Sequence, residues 1–168
     1  MKFMRSIAVT SVAAIALLGL LPAAAQAGHV DGRRAHRIGH AAHRRHHEPN
    51  YAWQLFRATN ESRQHHGLRP ITRNRDASRA AERHSIRMAR ANRLFHSTAM
   101  GPYLSGVGRW TSWGENIGWT SGDVPDLERA FMASSVHRSH ILSRAFRHVA
   151  VGAVMRGHKL WVTLVFYG

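Results

Sequence analysis

The chain contains no cysteine in its 168 residues. Disulfides are therefore excluded, and stability must come from a packed core. Acidic residues are scarce, 9 against 24 lysines and arginines, for a formal net charge of +15 with histidine neutral. That surplus favours anionic partners: acidic wall polymers, anionic lipid head groups or nucleic acid. Only one long apolar run is present, Ile7 to Leu21. It is shorter than the roughly 20 residues a membrane span needs. The sequence has no internal repeat, no nucleophile elbow and no H-E-x-x-H helix.

What is present begins with a secretory leader. Lys2 and Arg5 form a positive start, Ile7 to Leu21 an apolar stretch, and Pro22 breaks it. Ala25-Gln26-Ala27 then supplies a small-residue cleavage site. Taking Lys2 and Arg5 from the 24 basic side chains, and keeping all 9 acids, leaves the mature chain at +13. It is expected outside the cell or at the envelope, with no stable membrane span.

Residues 28–48 form a biased arm holding six of the 14 histidines, His29, His36, His40, His43, His46 and His47, interleaved with arginines. With few apolar residues it cannot bury enough surface to order itself. Two readings stand: a solvated, weakly anion-binding linker, or a tail whose clustered imidazoles hold zinc or copper loosely.

The globular part is expected over 49–168. A first helix runs through "NYAWQLFRATNESRQHHGL", with Trp53, Phe56 and Asn60 at helical spacing and Gly67 ending it. A second covers "RDASRAAERHSIRMARANRLF", its inner face Ala77, Ala80, Ala81, His84 and Met88, its outer face rich in arginine. Ser97 to Gly122 reads as a loop rich in glycine, serine and tryptophan. A third helix follows near "DLERAFMASSV", with Asp126 as N-cap or first-turn acid, then a short polar helix in "HRSHIL". "HVAVGAVMR" and "LWVTLVFYG" flank a tight turn and form a β-hairpin. The class is α+β, or a layered αβα sandwich.

Three groups could carry chemistry: His96 in "LFHS", Glu115 in "GENI" and His137 in "SSVHRSHIL". Two imidazoles and a carboxylate make a divalent-metal set with an open position for water. His84 on the apolar face reads as a core histidine, and Trp110, Trp113 and Trp119 read as packing before a lipid groove.

These motifs, with "HVAVGAV", "WVTLVFYG", "AAERHSIRMA" and the Asn60/Arg63 pair in "ATNESRQHHGLRPI", resemble in order and spacing the CAP superfamily, the SCP-like extracellular domain. The resemblance covers about residues 52–168. It implies a three-layer αβα sandwich with a C-terminal β-hairpin and a central cleft. In many members that cleft holds two His and two acids that can bind a divalent cation. His96, Glu115 and His137 match three of the four, and are the metal candidates for zinc or another divalent cation. The fourth position falls near Ser134, where no carboxylate stands, a gap common in bacterial members. His140 stands where many bacterial relatives carry Asn, and is either a compensating ligand or a turn cap. Asn116 and Gly114 are expected to be structural.

Two functions remain open. One is a secreted, non-catalytic binding module for anionic envelope polymers or lipids, the lipid binding being a property of the family. The other is a hydrolase, using either a cation-activated water or Ser134 or Ser135 beside His137. A dedicated nucleic-acid role is disfavoured by export and by the lack of a recognition fold.

Overall fold

The computed structural model describes residues 7–9, 15–17, 50–108 and 110–168. The expected cleavage site and the His/Arg-rich arm lie outside the described residues. Two short strands, β1 (Ile7–Val9) and β2 (Ile15–Leu17), come first in chain order. Asn50 then caps α1 (Tyr51–His65), its Oδ1 accepting the Trp53 N–H at 3.0 Å. This satisfies one of the orphan donors of the first turn. The face turned inward is Leu55, Thr59 and Arg63, at i, i+4 and i+8, while Trp53 is 47% exposed. The expected Trp53–Phe56–Asn60 face is therefore rotated. Gly67, at φ +66°, lets the chain turn back after the helix.

Strand β3 (Thr72–Arg73) leads to α2 (Arg75–Ala91), capped by Asn74 and ended by Asn92 in the left-handed conformation. Then come α3 (Met100–Val107), β4 (Ser112–Thr120), α4 (Val124–Ala133) and α5 (Ser135–Ile141). Asp123 caps α4, and Asp126 sits in its first turn. The hairpin is β5 (His148–Arg156) and β6 (Lys159–Tyr167), turning at Gly157 with φ +59°.

The stretch from Ser97 to Gly122 is thus no loop: it holds a helix and a sheet strand. Its glycines and serines read as turn residues in sequence. In β4 they alternate instead, with Gly114, Asn116 and Gly118 on one face and Trp113, Glu115, Ile117 and Trp119 on the other.

The sheet runs β1-β4-β6-β5-β3, with β2 also against β4. Strands β1 and β2 lie parallel on β4, at Ser112–Gly114 and Gly118–Thr120. Segments 7–9 and 15–17 are extended, as apolar chain meeting an open strand edge tends to be.

Strand β6 is buried on both faces and accordingly reads as a continuous apolar run. Leu160, Val162, Leu164 and Phe166 pack with Leu55, Leu127, Phe131 and Ile141 from α1, α4 and α5. Val165 and Tyr167 face Ala77, Ala81, Met100 and Leu104 from α2 and α3. Helices on both sides of one sheet make the expected αβα sandwich. Helix α2 lies close against the sheet at Gly152, where a Cβ would lie 2.2 Å from Glu82 N.

Candidate functional site

The site forms where β4 meets the loop after α2 on one face and α5 on the other. Glu115 is 4% exposed. Its Oε2 accepts from His96 Nδ1 at 2.7 Å and from the Ser97 backbone N–H at 3.0 Å. Both donors come from the segment that leaves α2, so this carboxylate ties that segment to the sheet. Charge-assisted bonds of this kind are the strong ones.

His84, read from its helical spacing as core, also reaches the site. Its Nε2 lies 3.9 Å from Glu115 Oε1 and donates to Phe95 O at 2.7 Å, while Arg87 approaches Nδ1 at 3.0 Å. Burial first, opposed by the Glu115 charge, lowers the pKa of this imidazole. Its helical position in sequence carried no sign of Glu115.

On the other face, Asn116 joins strand to helix. Its Nδ2 donates to His137 O at 3.1 Å, and its Oδ1 accepts from His140 Nδ1 at 2.7 Å. Gly114 makes room for that imidazole: a Cβ there would meet His140 Cδ2 at 2.7 Å. Burial, with the nearby His137 and His96 adding to it and Glu115 opposing, holds His140 down to about 4. His140 is therefore a neutral donor to Asn116 at ordinary pH. Because Glu115 and Asn116 are adjacent on β4, their bonds bring His96, His137 and His140 to one stretch of the strand.

Ser134, where the fourth acid is missing, ends α4 and begins α5. Its Oγ lies 2.8 Å from His137 Nδ1. Ser135 is exposed.

Among the described residues, the buried acceptors Glu115 Oε1 and His140 Nε2 have no hydrogen-bond partner. They suit water or a ligand that donates hydrogen bonds. The donor chemistry would also suit zinc. Among the described residues, however, no group of three His, Cys, Asp or Glu is arranged to hold a metal ion. A cation taken by His96 Nδ1 would require the 2.7 Å His96–Glu115 hydrogen bond to be given up.

Of the tryptophans, Trp113 packs against Gly101, Trp110 against Tyr167, and Trp119 beside Trp161 under Lys159 Nζ.

A helix–sheet–helix sandwich with a buried His/carboxylate network beside a sheet strand is the class these features define. Residues 56–166 match the family described as CAP, the cysteine-rich secretory protein family. The chain belongs to this family, although it has no cysteine.

Among solved structures, it is similar to a cysteine-rich secretory protein from Staphylococcus aureus, at 27% identity and TM-score 0.59, over 73% of this chain and 40% of that one. It is similar also to an extracellular protein containing an SCP domain from Bacillus anthracis, at 26% identity and TM-score 0.60, over 70% and 40%. An outer surface protein from Borrelia burgdorferi shares the fold at 11% identity and TM-score 0.60, over 68% and 90%. The chain spans about 40% of the length of the first two. Comparison with curated proteins gives no match. The chain is thus a CAP-domain protein, and the solved structures it is similar to include a bacterial cysteine-rich secretory protein and a bacterial extracellular protein with an SCP domain. Among the described residues, no helix is long and apolar enough to cross a membrane.

Proposed function

We propose that this is an extracellular binding module that acts by docking on anionic envelope polymers or lipids, not by turnover. The observation that carries the reading is the outer face of α2. Arg75, Arg79, Arg83, Arg87 and Arg90 are all exposed along it, and Arg93 follows at its end. The spacing of three and four residues keeps them on one side of the helix. The opposite side is fully committed to the sheet through Ala77, Ala81, His84 and Met88.

In this reading the cleft is a clamp. Glu115 fastens the loop at His96 and Ser97, and Asn116 fastens α5. Neither zinc nor another divalent cation is needed for that. The arm at 28–48 would add charge below about pH 6, where its histidines ionise.

The test is co-sedimentation with vesicles of phosphatidylglycerol and phosphatidylcholine against phosphatidylcholine alone. Each basic side chain near an anionic surface is worth about 1 kcal/mol. An Arg79→Gln, Arg83→Gln, Arg90→Gln variant should therefore bind the anionic vesicles about a hundredfold more weakly. Unchanged binding would sink the reading.

A second reading, a Ser/His hydrolase, is favoured by the Ser134–His137 hydrogen bond of 2.8 Å. Its test is hydrolysis of a peptide and ester library. Turnover by the intact chain that disappears in both Ser134→Ala and His137→Ala would establish it over the first.

A further inference from the structure

Away from the cleft, a cavity of about 560 Å³ opens between the end of α1 and the segment leading into β5. Its lining includes Arg63, Arg69, Arg144, Arg147 and His148. Among the described residues, no Asp or Glu lines it, and no salt bridge reaches these arginines. Like charges gathered without an acid repel one another, and the fold gains nothing from the arrangement by itself.

Arg63 sharpens the point. It is 3% exposed, and it donates from Nε to Arg69 O at 3.0 Å and from Nη1 to Ile141 O at 2.6 Å and Ser143 O at 2.9 Å. All three acceptors are neutral carbonyls, and none of the three bonds uses Nη2. The guanidinium thus holds the pocket wall in place while, among the described residues, its own charge meets no anion. A buried charge in that state is unfavourable until a counter-charge arrives.

The rest of the wall is equally fixed. Thr72 N donates to Arg147 O at 2.9 Å, and Arg147 N donates to Tyr167 O at 3.0 Å. Thr72 Oγ1 lies 2.7 Å from His148 Nδ1. With the backbone already fixed, only the exposed arginine side chains need to be ordered on binding.

We infer that this cavity is a binding site for a phosphate group, held by Arg69, Arg144 and Arg147 above the buried Arg63. Planar guanidinium forks match phosphate oxygens in pairs, which favours phosphate over a simple halide. The inference does not rest on docking through α2, whose arginine face is a separate surface.

The test uses the full chain, with inorganic pyrophosphate followed by calorimetry and by NMR of the arginine side chains. The variants are Arg144→Gln, Arg147→Gln and, with the same charge change elsewhere, Arg79→Gln, Arg83→Gln. Both pairs are exposed, so both variants should fold. Saturable binding that weakens about tenfold or more in the first variant, and less than about threefold in the second, is the expected result. Equal losses in both variants, or no saturable binding by the intact chain, would overturn the site.

A parallel arm with phosphatidylglycerol vesicles identifies the source of the phosphate. Binding that needs Arg144 and Arg147 makes it a lipid headgroup. Pyrophosphate binding without that vesicle dependence makes it a soluble or polymer phosphate, and either result keeps the site. If the α2 variant alone loses vesicle binding while no variant or intact chain binds pyrophosphate, the phosphate site fails and the docking function stands.

Discussion

Glu128 should make this protein lose stability as pH rises through the acid range, and Glu128→Gln should abolish that loss. The side chain is 5% exposed on α4, facing α1. Its two oxygens accept from Ser62 Oγ at 2.8 Å and Thr59 Oγ1 at 3.1 Å. Burial pushes its pKa up from 4.5 to about 7, against the pull of the two hydroxyls, with Glu61 adding slightly.

The unfolded chain therefore releases this proton near pH 4.5, and the folded chain keeps it until about pH 7. Protons favour the folded state between those limits. The contribution is fully present below about pH 4.5 and is lost by about pH 7. At 1.36 kcal/mol per pH unit this is about 3 kcal/mol.

Glutamine keeps an acceptor oxygen and has no charge to bury. Chemical denaturation at intervals from pH 4.5 to 7.5, for intact chain and variant side by side, gives the difference directly. The variant should gain about 3 kcal/mol relative to the intact chain across that window. Parallel curves for the two proteins would refute the reasoning, because the carboxyl would then titrate alike folded and unfolded.

His140 should act in the opposite sense. Its folded pKa of about 4 lies below the ordinary 6.5, so stability present above pH 6.5 is lost as pH falls toward 4. His140→Asn should remove that acid-side loss, about 3 kcal/mol, in the same denaturation series. The two groups oppose each other between about pH 4.5 and 6.5, so only variant-minus-intact differences reveal either one. Gly152→Ala should destabilise by about 3 kcal/mol or more, because the added Cβ meets the backbone of α2 at Glu82 N and Ala81 C. A thermal midpoint unchanged from the intact chain would show that α2 can move away from the sheet.

The architecture was legible where one pattern dominates. Helix α2 announces itself through alanines inside and arginines outside, and the hairpin through two β-rich runs around Gly157. Strand β4 was hidden because its inner residues are glycines. Their task is visible only once helices are packed on them: Gly114 under His140, and Gly118 under Phe131.

The candidate site was legible as a set of residues, through the family resemblance, but not as a network. No spacing tells that Glu115 bonds His96 or that Asn116 links His137 and His140. His84 fell out of the site for the same reason, since its position on α2 is what a core residue would occupy. The basic cavity was invisible in sequence, because Arg63 and Arg69 are far in the chain from Arg144 and Arg147.

The central claim, a cleft built as a hydrogen-bonded clamp and not as a metal centre, is tested most directly by thermal unfolding of the full chain with zinc and with a chelator. A metal stabilises only as far as it prefers the folded state, so zinc bound loosely by the arm histidines should shift nothing. The clamp predicts the same unfolding midpoint with zinc and with chelator, and a loss of about 3 kcal/mol in Glu115→Gln, where His96 loses its charged partner. A midpoint that falls with chelator and recovers with zinc, with the effect gone in His96→Ala and His137→Ala, would contradict the claim and make the cleft a cation site.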